Sequence, residues 1–281
     1  MRRDRTLVRH RIASASKCFA IFFAALLAPF APGSAHAPEK ILRVAAASDL
    51  QFAMQDLAAQ FERTTGIEPE ISYGSSGNFY SQLQSGAPFD LFFSADAEYP
   101  ARLQSAGLIE PGTLYNYAIG RLAIWMPADS PLDLPHLGWK TLLDPRVEKI
   151  AIANPDHAPY GRAALDALRS AGLYDQVKSR LVFGENISQT AQFVQSGNAQ
   201  AGIIALSLAL SPGLKDGLRW EIPAALHPPI VQSVVILKSA ANPVAARAFE
   251  QFVKSAAARE TLARYGFTFP ANSSAASHHR S

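Results

Sequence analysis

The sequence predicts an α/β protein of two lobes that close like a clam shell, and three observations predict it. Short apolar runs alternate with amphipathic helical stretches from Ile41 onward, and the same order recurs in the second half. Two longer apolar runs, Tyr117–Met126 and Ile230–Leu237, have the character of crossover strands between the halves. Strand, helix, strand, helix at this spacing implies that each lobe is a mostly parallel sheet flanked by helices. The expected division is residues 38–118 with 228–270 for lobe 1, residues 119–227 for lobe 2, and a small, polar, flexible tail at 271–281.

The elements follow in order. Ile41–Ala47 reads as a buried strand, and Ser48-Asp49 then offers capping oxygens to a helix carrying Phe52, Leu57, Ala58 and Phe61 at helical spacing. Gly66 stops that helix. Ile67–Tyr73 is a second strand, followed by Gly74-Ser-Ser-Gly77 and a helix through Tyr80 and Leu83. Asp90–Ser94 is a third, with a helix beginning near Ala97. In the second half, strands are expected at Lys149–Ala153, Arg180–Phe183 and Ala201–Ala205, with helices over Tyr160–Ala171 and Ile187–Ser196. Pro243–Tyr265 is helical.

Before all of this stands a basic region, the apolar run Phe19–Leu27, and Ala35-His-Ala37, whose small residues at −3 and −1 suit a signal peptidase. Residues 1–37 therefore read as a cleaved secretory signal, because the apolar run falls short of the roughly 20 residues of a membrane span. Cys18 lies inside it, so the chain from Pro38 onward contains no cysteine and can form neither a disulfide nor a thiolate metal site. The signal also distorts the charge. It holds six of the 26 Lys and Arg residues and one of the 23 acids, leaving 20 basic against 22 acidic residues, a net of −2. A nucleic-acid partner is thereby disfavoured, since it requires a lasting basic excess.

Ligands of open α/β sheets lie at the carboxyl ends of strands, which directs attention to the strand-to-helix turns. Four are rich in small polar or permissive residues: Ala47-Ser-Asp49, Gly74-Ser-Ser-Gly-Asn78, Asn154–Gly161 and Gly184-Glu-Asn-Ile-Ser188. Each presents backbone N–H groups at the positive end of a helix beside a hydroxyl or amide side chain, a constellation that holds an oxyanion without a cation or metal. The same residues are also ordinary caps and turn formers. Pattern alone therefore supports a two-lobed binding protein for an anion. Enzyme motifs are missing: beyond the signal there is no Gly-x-Ser-x-Gly elbow, no phosphate loop and no His-Glu-x-x-His. Asp156-His157 could be drawn as a catalytic pair, but it sits in a Pro-flanked turn and lacks an identifiable nucleophile.

The turns Ala46-Ala-Ser-Asp49, Ser72-Tyr-Gly-Ser-Ser-Gly77, Gly86–Asp96, Ala153–Gly161 and Glu185-Asn-Ile-Ser-Gln-Thr190, in this order, resemble the periplasmic molybdate-binding proteins of ABC transporters. The resemblance covers essentially the whole chain after the signal. It implies a periplasmic binding protein that captures molybdate, and tungstate, as a monomer in the cleft and delivers it to a membrane permease with its ATPase subunit. No cofactor and no direct ligand to molybdenum are implied. Ser48 and Ser76 would donate hydroxyl and backbone N–H groups from the first lobe, and Tyr160 and Ile187 chiefly backbone N–H groups from the second. Asp49 holds a position that in some relatives also touches the anion. A tyrosine that some members place in the segment Gly202–Ser207 is missing here, with Ala205 its equivalent.

A carboxylate beside a dianion is repulsive, so the favoured expectation is that Asp49 caps the following helix and faces away. Were it to face the cleft, it could accept a proton from hydrogen phosphate, whereas molybdate at neutral pH has none to give. Two alternatives stay open: a related binder for sulfate, phosphate, ferric iron or a small organic acid, and a secreted hydrolase acting through a serine and His157.

Overall fold

The computed structural model describes residues 41–271. The predicted signal at 1–37 lies outside them, as does the predicted tail after its first residue. The first half runs β1 (Ile41–Ala47), α1 (Gln51–Thr65), β2 (Glu68–Gly74), α2 (Ser76–Gln84), β3 (Leu91–Ser94), α3 (Glu98–Ser105) and β4 (Tyr115–Gly120). Then come β5 (Leu122–Met126), α4 (Leu134–Leu137), β6 (Ile150–Ala153), α5 (Pro159–Ser170), α6 (Tyr174–Val177), β7 (Leu181–Gly184) and α7 (Ile187–Gln195). The chain continues through β8 (Ala201–Ala205), α8 (Leu206–Ala209), β9 (Leu218–Glu221), β10 (Ile230–Ile236), α9 (Pro243–Val253) and α10 (Ala256–Arg264).

Two five-stranded sheets result, in the orders β2-β1-β3-β10-β4 and β7-β6-β8-β5-β9. The class is the expected one, but the sheets are mixed. In the first, β1 pairs in parallel with β2 and β3, while β10 runs antiparallel to β3 and β4. In the second, β6 pairs in parallel with β7 and β8, while β5 runs antiparallel to β8 and β9. The antiparallel pairs belong to the strands that flank the connections. The long run 117–126 is two strands, since the chain leaves the first sheet at Gly120 and enters the second at Leu122. β10 lies wholly in the first sheet, and residues 222–229 make the return.

The first sheet is covered on both faces, and the period of two sorts its residues between them. Val44, Ala46, Leu91, Phe93, Val234 and Ile236 pack toward α1, α9 and α10, while Ala45, Phe92 and Val235 pack toward α2 and α3. Ala53, Met54, Leu57 and Phe61 form the buried stripe of α1. Phe61 and Phe93 both meet Phe249 of α9 edge-on, at 4.9 and 5.9 Å between ring centres. That contact ties the returning C-terminal segment to the N-terminal strands. The second lobe has a separate, larger core around Ile124, Ile152, Leu168 and Ile203. Among the described residues no helix is long and apolar enough to cross a membrane.

Candidate functional site

Where the two sheets face one another, turns from both lobes meet around one small cavity. Its walls are Ala47, Ser48 and Asp49 after β1, Gly74, Ser75 and Ser76 after β2, and Ala95 after β3. Ala158, Pro159 and Tyr160 after β6 and Ile187 after β7 complete it from the other lobe. All five residues singled out from the sequence, Ser48, Asp49, Ser76, Tyr160 and Ile187, are therefore brought together, at the carboxyl ends of parallel strands. The wall contains no Lys, Arg or His. The space is near 10 Å³, about the room of one ordered water, so a larger ligand enters only when the lobes part.

Local sequence explains why the helix starts remain able to donate. Side chains of Asn186, Asn242 and Ser255 cap α7, α9 and α10. The starts of α2 and α5, at Ser76 and Pro159-Tyr160, have no side-chain cap. Pro159 occupies the first turn of α5, where its missing N–H costs no hydrogen bond. Ser76 Oγ accepts from the backbone N–H of Ala95 at 2.9 Å, which fixes the hydroxyl while its proton stays available. Ser48 Oγ donates to Asn186 Oδ1 at 3.2 Å and accepts from the Ser188 N–H at 3.3 Å, so an anion here must displace Asn186.

Asp49 departs from expectation. It caps no helix: neither the short helical turn Ser48–Leu50 nor α1 has a side-chain cap. The carboxyl is buried and turns across the cleft, where Oδ2 accepts from the Tyr160 hydroxyl at 3.0 Å and from Gln232 Nε2 at 2.8 Å. The Tyr117 hydroxyl donates to Gln232 Oε1 at 3.0 Å and so orients that amide. Ser207 Oγ donates to the main-chain carbonyl of Asp49 at 2.7 Å. Asp49 Oδ1 is buried without a hydrogen-bond partner. Burial pushes the Asp49 carboxyl up to about 7, against the opposing pull of the Tyr160 and Gln232 hydrogen bonds and, more weakly, of the Asp49 and Leu50 N–H groups. Burial first, then the neighbouring Asp49 charge, holds the Tyr160 and Tyr117 hydroxyls well above the usual phenol range.

Around the cavity the lobes are further joined. Gly77 donates its N–H to the His157 carbonyl at 2.8 Å, and a Cβ there would stand 2.7 Å from that oxygen and from the Tyr99 hydroxyl. Gly120 likewise makes room for Tyr160, whose hydroxyl would lie 2.1 Å from an added Cβ. His157 Nδ1 lies 3.0 Å from Ser75 Oγ and its Nε2 3.5 Å from Glu185, which Asn78 also engages. Arg162 reaches back to Asp96 and lies over the Tyr99 ring. Burial raises the Asp96 carboxyl, with the Tyr99 N–H and the Arg162 charge pulling the other way.

Gln232, Tyr117 and Ser207 escaped the sequence reading. The available signal was a polar residue, Gln232, inside the apolar run Ile230–Leu237, and that run reads as a strand with or without it. Among the described residues no group of three or more His, Cys, Asp or Glu is placed to hold a metal ion.

Two lobes locked around a cavity made of strand-to-helix turns define a solute-binding protein of the clam-shell class. The chain belongs to the bacterial extracellular solute-binding protein family, whose profile matches residues 42–268. It is 38% identical, over 80% of its length and 89% of the relative's, to the molybdate-binding protein ModA of Azotobacter vinelandii. A solved periplasmic molybdate-binding protein from Azotobacter vinelandii superposes with a TM-score of 0.77 at 36% identity, covering 82% of this chain and 99% of that one. A putative ABC transporter substrate-binding lipoprotein of Bacillus subtilis, YvgL, is 29% identical over 81% of this chain and 86% of its own length. The family resemblance drawn from the turns is thus upheld, and the relatives are solute-binding proteins.

Proposed function

We propose that this chain captures molybdate, and also tungstate, in the cleft between its lobes and passes it to the permease of an ABC transporter with its ATPase subunit. It does so in the periplasm, as a monomer, without a cofactor and without chemistry of its own. The observation that carries the reading is the cavity wall, where helix-start turns from both lobes converge with no cationic side chain. Neutral dipoles hold a dianion while leaving no permanent ion pair to break on release. Sulfate is a smaller tetrahedral dianion, so donors spaced for the longer metal–oxygen bonds leave it with slack hydrogen bonds, each costing about 1–3 kcal/mol.

The hydrolase reading gains one observation, the line Ser75–His157–Glu185. Yet its members come from opposite lobes, and Ser75 and His157 join two other cross-cleft contacts on the same side. The arrangement is better read as part of the closure. Thermal denaturation tests the proposal: saturating molybdate should raise the melting temperature while equal sulfate leaves it in place. Equal shifts from both would refute molybdate selectivity, and turnover of an ester substrate lost in His157→Ala would support the hydrolase.

A further inference from the structure

We propose that Asp49 meets the bound oxyanion as a neutral carboxylic acid, donating a hydrogen bond from Oδ1, so that capture of the dianion takes up one proton. This deepens the molybdate reading and rests on it.

The polarity of the surrounding network dictates which oxygen carries the proton. Tyr117 donates to Gln232 Oε1, which leaves the Gln232 amide nitrogen facing Asp49 Oδ2 and the Tyr160 oxygen, at 2.8 and 3.2 Å. Tyr160, receiving from Gln232, donates its own proton to the same Oδ2. Both side-chain donors to the carboxyl, the Tyr160 hydroxyl and a Gln232 amide hydrogen, point at Oδ2, so that oxygen acts only as an acceptor. Oδ1 has no partner, is buried, and belongs to a residue that lines the cavity. An ionised Oδ1 beside a dianion in a water-poor site is repulsive, whereas Oδ1–H supplies a donor to an anion that has no proton of its own. The balance is simple: the carboxylate takes H⁺ from solvent, no other bond changes, and the proton stays on Asp49 when the anion is held.

Among the described residues no cationic side chain acts on this carboxyl. The side chains that hydrogen-bond the carboxyl are Tyr160 of α5 and Gln232 of β10, with Tyr117 of β4 behind them and Ser207 of α8 on the main chain. Both tyrosines resist ionisation, which leaves Asp49 as the group of this network that titrates near neutrality. A bound dianion strengthens its hold on the proton further. Uptake therefore vanishes well below about pH 7, where the acid is already protonated, and approaches one proton per anion above it. Affinity then falls toward tenfold per unit as pH rises.

The test is calorimetric titration of the protein with sodium molybdate, in pairs of buffers with different ionisation enthalpies, at about pH 6 and about pH 8.5. Expected are little proton uptake at the lower pH, about one proton at the higher, and an affinity that weakens between them. Asp49→Asn keeps a donor at this position, so it should bind with no uptake at either pH and a flat pH dependence. If molybdate binds with no proton uptake, or Asp49→Asn still takes one up, the inference is overturned and the molybdate reading stands. Molybdate failing to bind at any pH overturns both. The wild-type proton count decides the matter even if the variant fails to fold.

Discussion

The hydroxyl of Tyr160 donates to Asp49 Oδ2 at 3.0 Å, joining the start of α5 in one lobe to the first turn after β1 in the other. The bond is buried, and Gln232 completes a triangle with it. Closure of the cleft therefore brings a donor from the second lobe directly onto the Asp49 carboxyl. Removing the hydroxyl with Tyr160→Phe leaves the α5 backbone in place and deletes this cross-cleft bond. Loss of a hydrogen bond to a buried acid costs about 1–3 kcal/mol, so anion affinity should fall by roughly 5- to 150-fold, with dissociation accelerated. Stopped-flow dissociation rates check it; an unchanged rate would assign Tyr160 to backbone donation alone.

Burial of Asp49 also sets how stability responds to pH. An acid whose folded value is raised from 3.8 to about 7 binds more protons folded than unfolded across that window. Stability contributed at this site therefore falls as pH rises through it, by about 1.4 kcal/mol per unit, and levels off above. Asp49→Asn carries no such penalty. Its melting temperature should exceed that of the wild type by more at pH 8 than at pH 5, and equal differences would place the carboxyl in water.

Ser76 is held by the Ala95 N–H with its hydroxyl proton available to the cavity. Ser76→Ala removes that donor and leaves the Ala95 N–H without its acceptor. Molybdate affinity should drop by roughly 5- to 150-fold, read by competition titration. Unchanged affinity would remove Ser76 from the site.

Gly77 brings the backbones of the two lobes into contact along this edge, with no space for a Cβ against the His157 carbonyl and the Tyr99 hydroxyl. Gly77→Ala should fold, because the position lies within a helix, but should fail to close. Small-angle scattering then records no compaction on adding molybdate, whereas the wild type contracts. Compaction equal to the wild type would show that the lobes adjust by sliding.

Much of this was legible in the residues. Ile41–Ala47 and Ala201–Ala205 form strands over the predicted ranges because continuous apolar runs bounded by turn residues describe buried parallel strands. The turns that carry Ser48, Ser76, Tyr160 and Ile187 could be found because a strand-to-helix turn leaves a local chemical signature, and the family resemblance then picked out the residues within them. Three features left none. β9, Leu218–Glu221, is half-exposed and carries Arg219 and Glu221, so it lacks an apolar run. The single residue between β4 and β5 is invisible because strands of both sheets are equally apolar. The direction of the Asp49 side chain depends on Gln232 and Tyr160, 183 and 111 residues away, and no local capping rule contains them.

Isothermal titration of the protein with molybdate, tungstate, sulfate and phosphate at one pH tests the central claim most directly. The account predicts tight one-to-one binding of molybdate and tungstate, with no measurable heat of binding from sulfate or phosphate. Preferential binding of sulfate or phosphate would contradict it, leaving the clam-shell fold in place but removing the ligand assigned to its cavity.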